Sequence, residues 1–240
     1  MDFKKKPILG MIHLSGDKSV FLERAMEEIA IFEQEGVDGI IVENYHGDVD
    51  DMRKVLSQLN DYNGILGLNV LPNEYQIAFA MADEFKASFI QLDYVAGVYE
   101  SYKSFKYVAE PHYLEIKNQY PNIAVLGGVW PKYYQPVKGS NLNTDIEIGM
   151  KRAEAIVVTG EGTGKETPID KVAQFKNIMG NFPLIVGAGV TTSTVGRYLN
   201  LSDGIIVGSA FKPYNNTTSK ISKTLVREFM SEVNNSRNGK

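Results

Sequence analysis

The sequence predicts an α/β fold and, within that class, a single (β/α)8 TIM barrel. Short runs of β-branched residues alternate with amphipathic stretches along the whole chain, which is the pattern of βα units and a parallel sheet. Eight strands and eight helices can be assigned, and the 240 residues are close to the length of roughly 250 that is typical of such barrels. Because no Pro- or Ser-rich linker interrupts the chain, we expect one domain over 1–240, with 234–240 as a frayed tail.

The predicted strands are short apolar runs that stop at glycines or polar residues. In chain order they cover 8–12, 39–42, 65–70, 89–92, 123–129, 155–158, 184–186 and 204–207. The predicted helices between them cover 20–35, 50–59, 74–86, 111–119, 144–152, 168–179, 192–199 and 217–233.

Local signals support these helices. In the first helix, apolar residues recur at three- and four-residue steps and give one face that can pack on the sheet; they are Phe21, Ala25, Ile29 and Phe32. Pro168 and Thr191 or Thr192 stand where two later helices begin. The stretch 96–110 is aromatic and polar. We expect it to be a long loop, either a lid over a binding site or a contact surface of a homo-oligomer.

Composition excludes several classes of protein. Hydrophobic residues make up 43% and charged residues 22%, an ordinary globular balance. The formal charge of −4 argues against a general nucleic-acid binder. Without cysteine the chain has neither disulfides nor thiolate metal sites, which agrees with a reducing cytoplasm. Since no segment approaches the roughly 18 apolar residues of a membrane span, we expect a soluble, cytoplasmic protein.

Two apolar runs near the C-terminal end stop in glycines, at 184–191 and 203–210. Glycine lets backbone N–H groups approach an anion closely, and the last two strands of many TIM barrels hold a phosphate in this way. We therefore predict that Gly187, Gly189, Gly208 and Ser209 bind the phosphate of a small phosphorylated or otherwise anionic metabolite. The alternative is that these glycines only shape tight turns.

Polar side chains follow almost every predicted strand. In a closed parallel barrel the carboxyl ends of all strands form one mouth, so these side chains are expected to converge there. They are His13, Glu43, Asn44, Asn69, Asp93, Lys132, Thr159, Glu161 and Lys212.

Carboxylates in a confined mouth raise one another's pKa, which suits general acid/base catalysis, or they bind Mg²⁺. Both uses remain open for Glu43, Asp93 and Glu161. Lys132 is expected to neutralise developing negative charge, to pair with a carboxylate or to form a Schiff base. The residues expected to contact the substrate are His13, Asn44, Asn69 and Thr159. With three histidines in the chain, a multi-histidine zinc site is not favoured.

Five segments in the same order resemble the BtpA family, also called the photosystem I biogenesis family. They are KPILGMIHL at 6–14, GVDGIIVEN at 36–44, GLNVL at 67–71, VVTGEGTG at 157–164 and VGAGVT at 186–191. The resemblance covers nearly the whole chain and implies a TIM barrel. It implies little about chemistry, because the family name comes from a role in photosystem I accumulation and some relatives are described as nucleosidases or sugar-related enzymes.

The residues together favour an enzyme that acts on a small phosphorylated sugar-like, nucleoside or nucleotide metabolite. Lyase, isomerase and glycosidic-bond cleavage activities are all compatible with the predicted side chains. Two alternatives belong to other classes of protein: a non-catalytic assembly or regulatory factor of the BtpA type, and a sensor that binds a phosphosugar without turnover.

Overall fold

The computed structural model describes residues 1–101 and 104–239. Within this part of the chain, eight parallel strands form a closed barrel, which confirms the predicted fold class. The strands are β1 (Ile8–His13), β2 (Gly39–Glu43), β3 (Ile65–Asn69), β4 (Phe89–Leu92), β5 (Ala124–Gly128), β6 (Ala155–Val158), β7 (Leu184–Val186) and β8 (Gly204–Val207). Each strand pairs with the next, and β8 pairs with β1 to close the ring.

Helices follow the strands and cover the outside of the barrel. Among the described residues they are α1 (Phe21–Gln34), α2 (Val49–Leu56), α3 (Tyr75–Glu84), α4 (Glu110–Gln119), α5 (Leu142–Arg152), α6 (Ile169–Met179), α7 (Val195–Leu201) and α8 (Lys223–Arg237). The apolar face predicted for the first helix is buried in α1, as expected for a helix that packs on a sheet. In the part of the chain described, no helix is both long and apolar enough to cross a membrane.

The core has two layers because successive side chains of a strand point to opposite faces of the sheet. The layer between barrel and helices contains most of the buried apolar residues. The smaller layer fills the barrel interior and consists of Leu9, Met11, Ile41, Phe89, Leu126, Ala155, Val157, Ile185 and Ile206. A residue two positions beyond an interior residue also faces inward, at the carboxyl end of the barrel. His13, Glu43 and Gln91 follow Met11, Ile41 and Phe89 in this way.

The stretch predicted as a loop over 96–110 contains regular structure. Strands Tyr99–Ser101 and Ser104–Lys106 pair antiparallel, and Gln135–Pro136 adds a third strand; residues 102 and 103 of that stretch lie outside the described residues. Tyr99 connects this stretch to the loop after β5. Its buried hydroxyl donates to Ala96 O at 2.7 Å and accepts from Trp130 N at 3.0 Å.

Part of the predicted tail 234–240 is helical. Helix α8 continues to Arg237, and residue 240 lies outside the described residues. The guanidinium of Arg237 forms an ion pair with Asp38 at 2.6 Å, which fastens the end of the helix to the bottom of the barrel.

A buried ion pair holds the segment that follows β8. Arg24 Nε donates to Glu28 Oε1 at 2.9 Å, and Arg24 Nη1 donates to the carbonyl oxygens of Ser15 and Thr218 at 3.0 and 2.8 Å. The loops after β1 and β8 are thereby fixed to the same helix. Because β1 and β8 are neighbours in the ring, Arg24 holds together two adjacent loops at the mouth of the barrel.

Replacing Arg24 with methionine should destabilise the protein by about 3–5 kcal/mol, because Glu28 would remain buried without its cation. The control is Arg53→Met, which breaks the exposed pair with Glu84 and should lower the free energy of unfolding by less than about 1 kcal/mol. Urea unfolding measures both. Equal losses in the two variants would contradict a stabilising role for the buried pair.

Candidate active site

The carboxyl ends of the barrel strands surround a cavity of about 470 Å³. Ten of the twelve site residues predicted from the sequence line it. These are His13, Glu43, Asn69, Asp93, Lys132, Thr159, Gly187, Gly189, Gly208 and Ser209. The closed ring therefore brings together residues that are far apart in the sequence.

One side of the cavity is built from polar side chains on four adjacent strands. Cα register pairs His13 with Glu43, Glu43 with Asn69, and Asn69 with Gln91 on the adjacent strands β1 to β4. We call these four residues the polar arc. Because partners in register point to the same face of the sheet, all four side chains of the polar arc face the barrel interior.

The opposite side of the cavity is lined by glycine. Gly128 is the last residue of β5, and Gly187 and Gly208 directly follow β7 and β8; a Cβ at Gly128 would overlap the Asp93 carbonyl oxygen. Gly189 adopts φ +67°, and a Cβ there would overlap the Lys165 carbonyl, so this position requires glycine.

A short turn, Ser209–Phe211, begins directly after β8 and Gly208. The N–H groups of Ser209 and Ala210 open this turn and have no acceptor within it. Together with the loop after β7, we call this part of the wall the anion turns. Main-chain N–H groups without internal acceptors, beside glycines, suit an anionic ligand.

Two carboxyl groups in the cavity have raised pKa values. Burial, followed by the charge of Asp93, raises the pKa of Glu43 to about 7. Burial also raises the pKa of Asp93, and a hydrogen bond from the Tyr134 hydroxyl at 3.0 Å opposes that rise. Asn69 Nδ2 donates to Glu43 Oε2 at 2.6 Å. Near neutral pH this pair of groups can therefore both hold and accept a proton, as acid/base catalysis requires.

His13 is neutral in this setting. Burial, followed by the charges of Lys212 and Lys132, holds the pKa of His13 well below its ordinary value. Its Nε2 lies 3.7 Å from Glu43 Oε1. The imidazole is thus a hydrogen-bonding group rather than a cation at neutral pH.

Lys132 enters the cavity from an unusual loop after β5. Trp130 and Tyr133 both have left-handed backbone angles, with φ of 48° and 68°, which non-glycine residues seldom adopt. The Lys132 backbone N–H donates to Thr159 Oγ1 at 2.7 Å, and its Nζ donates to Thr163 Oγ1 at 2.9 Å. Backbone strain of this kind is often found where a protein positions a functional side chain.

Two predicted site residues lie outside the cavity lining. Asn44 binds the backbone of Leu71, with Nδ2 donating to the carbonyl at 3.2 Å and Oδ1 accepting from the N–H at 2.8 Å. Glu161 is exposed, because its loop turns so that Thr163 and Gly164 face the cavity instead. The expectation that Glu161 shares one cavity with Glu43 and Asp93 is therefore wrong.

Several residues that line the cavity were not predicted from the sequence, and three of them matter for its polar contacts: Gln91, Tyr134 and Thr163. Gln91 is a polar residue within a buried strand and its Oε1 has no partner among the described residues. Gln91 lies two positions before Asp93, and this spacing indicates that both side chains face the cavity. Tyr134 and Thr163 carried no such signal, because they lie in loops. In the described part of the chain, no three His, Asp or Glu side chains group closely enough to hold a metal ion.

The family model of the BtpA family matches residues 4–235. This chain belongs to the BtpA family. It is 29% identical to an uncharacterized protein of Thermococcus kodakarensis over 96% of both chains. It is 26% identical to the photosystem I biogenesis protein BtpA of Synechocystis sp., over 93% of this chain and 86% of that protein.

Solved structures similar to this BtpA family member include TIM-barrel aldolases and isomerases. A native KDPGal structure matches with a TM-score of 0.65 and 10% identity, covering 97% of this chain and 96% of that one. Phosphoribosyl anthranilate isomerase from Thermus thermophilus matches with a TM-score of 0.63 and 13% identity, covering 95% and 98%. At these identities the likeness establishes the fold alone.

Replacing Glu43 with glutamine should change how stability depends on pH. The folded protein has a Glu43 pKa of about 7 against an ordinary value of 4.5, so between these values it binds more protons than the unfolded chain. The free energy of unfolding that Glu43 contributes therefore falls as pH rises from about 4.5 to 7. Because glutamine does not titrate, Glu43→Gln should gain roughly 3 kcal/mol relative to the wild type between about pH 5 and pH 8.

Urea unfolding across this pH range measures the difference, with Glu35→Gln as the control. Hydrogen bonds from Arg227 hold the pKa of Glu35 below its ordinary value, so that carboxylate stays ionised over the whole range. The Glu35→Gln and wild-type curves should run parallel. A parallel curve for Glu43→Gln would show that its pKa is not raised.

Proposed function

We propose that this protein is an enzyme that catalyses proton transfer on a small phosphorylated, sugar-like metabolite. One observation carries the proposal: a single cavity joins the anion turns to two carboxyl groups whose pKa values are raised by burial. A phosphate bound at the anion turns would leave the rest of a small substrate beside Glu43 and Asp93. Binding energy from the phosphate would then orient the reacting carbon.

The polar arc supports a substrate that carries hydroxyl groups. Asn69 Oδ1 and Gln91 Oε1 are buried oxygen atoms without a partner among the described residues. A buried acceptor without a donor is unfavourable, and hydroxyl groups of a sugar would supply the missing donors. The volume of about 470 Å³ accommodates a molecule of that size.

The proposed chemistry uses the carboxyl groups as base and acid. An ionised carboxylate of the pair removes a proton from the carbon next to a carbonyl group, and the negative charge moves to the carbonyl oxygen. Lys132 and the neutral His13 stabilise this oxygen by charge and hydrogen bonding. The protonated carboxyl group of the pair then returns a proton to the substrate. Isomerases and lyases share this first step.

The comparisons support this class of reaction at the level of the fold. The similar solved structures include phosphoribosyl anthranilate isomerase, an enzyme whose name contains a phosphorylated sugar. An aldolase, described as 4-hydroxy-2-oxoglutarate and 2-deydro-3-deoxyphosphogluconate aldolase, matches with a TM-score of 0.61 and 13% identity. The relative from Synechocystis is named for photosystem I biogenesis, which leaves an assembly factor as the competing hypothesis.

Calorimetry and product analysis with a panel of sugar phosphates and nucleotides, each with and without Mg²⁺, test the proposal. Binding followed by turnover of at least one compound is the expected result. Binding of a phosphosugar without any turnover would overturn the catalytic proposal in favour of a sensor. If no compound of the panel binds, the assembly factor replaces both.

Removing either carboxyl group should reduce catalysis more than binding. We expect Glu43→Gln and Asp93→Asn each to lower kcat by roughly 10²- to 10⁴-fold, the usual size of acid/base effects, while the Kd for the phosphorylated compound changes little. Steady-state kinetics and calorimetry measure the two quantities. Glu35→Gln, which changes a carboxylate far from the cavity lining, should leave kcat unchanged. Full activity in both cavity variants would exclude them from the reaction.

A negative charge at the anion turns should prevent phosphate binding. Ala210 lines the cavity at the turn, so Ala210→Asp would place a carboxylate beside the bound anion. We expect affinity for the phosphorylated compound to fall by roughly 100-fold, because like charges in contact cost several kcal/mol. Ala210→Asn has the same shape without the charge and should lose less than about tenfold. Equal losses in calorimetry would mean that the turn does not bind the anion.

A further inference from the structure

Lys212 is a buried lysine that the acid/base chemistry described above does not use. It follows the turn Ser209–Phe211, and 1% of its surface is exposed. Its ammonium group donates to the Thr217 carbonyl oxygen at 2.7 Å and lies 3.4 Å from Nδ1 of His13. Burial disfavours a charge that has no partners, so these two contacts account for the position of the group.

The ring of His13 is held in one orientation. Tyr45 packs against it edge-on, with ring centroids 4.9 Å apart, and the Tyr45 hydroxyl donates to Thr217 Oγ1 at 3.3 Å. A Cβ on Gly208 would lie 2.7 Å from His13 Cε1, so the ring fits only beside a glycine. In this orientation Nδ1 faces Lys212, and Nε2 faces Glu43.

The ammonium group decides which nitrogen carries the proton. An ammonium group donates hydrogen bonds and cannot accept them, so the Nδ1 that faces it must be unprotonated. The single proton of the neutral imidazole then lies on Nε2. The distance of 3.7 Å from Nε2 to Glu43 Oε1 is too long for a hydrogen bond, which leaves this N–H available to a ligand.

We propose that Lys212 is a positioning residue that fixes His13 in the Nε2–H tautomer, so that the imidazole donates a hydrogen bond to a substrate oxygen beside Glu43. The use of this donor rests on the proposed function, whereas the tautomer does not. The Lys212 backbone N–H also donates to the Ser209 carbonyl at 2.9 Å. One residue therefore links the anion turns to the orientation of His13.

The arrangement should depend on pH. Burial lowers the pKa of Lys212 to about 8. The groups that face it are the Glu28 and Glu43 carboxyls, which favour its charge, the Arg24 guanidinium, which opposes it, and His13. Once the amine loses its proton it can accept a hydrogen bond from Nδ1–H. We therefore expect the preference for the Nε2–H tautomer to weaken above about pH 8.

Long-range ¹H–¹⁵N NMR of the full chain with ¹⁵N-labelled histidine reads the tautomer directly. The signals of His13 are identified by their loss in His13→Gln, and His46 and His112 serve as internal references. At neutral pH the wild type should show an unprotonated Nδ1 and a protonated Nε2. In Lys212→Met we expect a mixture of tautomers and a higher His13 pKa, because the donor and its charge are both lost.

Two further variants separate the hydrogen bond from the charge. Lys132 also lowers the pKa of His13 but donates to Thr163, so Lys132→Met should raise that pKa without changing the tautomer. Lys212→Arg keeps a donor and should keep the Nε2–H tautomer. Circular dichroism melting curves confirm that each variant is folded.

An Nδ1–H tautomer in the wild type would overturn the proposal, even if Lys212→Met failed to fold. An unchanged tautomer and pKa in folded Lys212→Met would overturn it as well. These readouts need no substrate, so they stand if the proposed enzymatic function fails. Where turnover is found, Lys212→Met should lower kcat by more than it changes KM, and Lys212→Arg should restore part of the loss.

Discussion

The pairing of β8 with β1 determines which groups can meet in this protein. Ile8, Leu9 and Gly10 lie in register with Ile205, Ile206 and Val207, and this contact joins the two ends of the sheet. In an open sheet of the same strands, β1 and β8 would lie at opposite edges, and the polar arc would be far from the anion turns. Closure instead places Gly208 directly against the ring of His13. The candidate active site therefore depends on a contact between strands that are almost 200 residues apart.

The interior of the ring differs on its two sides. Strands β1 to β4 contribute the polar arc, whereas β5 ends at a glycine and β7 and β8 are each followed by one. Burying polar side chains lowers stability unless they are paired, and Gln91 Oε1 has no partner among the described residues. The two apolar layers, one inside the barrel and one between the barrel and its helices, offset this loss of stability. Such local violations of the rules that stabilise a fold are expected where a protein binds a ligand.

The period of the strands explains which site residues the sequence could predict. Glu43 and Asn69 end apolar runs, and eight such runs predicted a closed parallel sheet. A closed sheet brings the residues at its strand ends together, so the sequence could predict that these two side chains lie in one cavity. Asn44 does not line the cavity, because it follows an inward residue and so faces the other way. Gln91 was missed although it alternates with Asp93. Glu161 could not be placed, since the loop beyond a strand has no period that the sequence reveals.

The charges in the cavity explain how a protein with a net charge of −4 can suit an anionic ligand. Electrostatic attraction between exposed charges fades over about 8–10 Å at physiological salt, so local lysines matter more than the net charge: Lys132 lines the cavity, and the buried Lys212 contacts the cavity residue His13. Lys132 and Lys212 both disfavour a proton on His13. Burial favours protons on Glu43 and Asp93 instead. Burial therefore favours the uncharged form of each group: protonated carboxyl groups at Glu43 and Asp93, and a neutral imidazole at His13, which lies between Lys212 and Glu43.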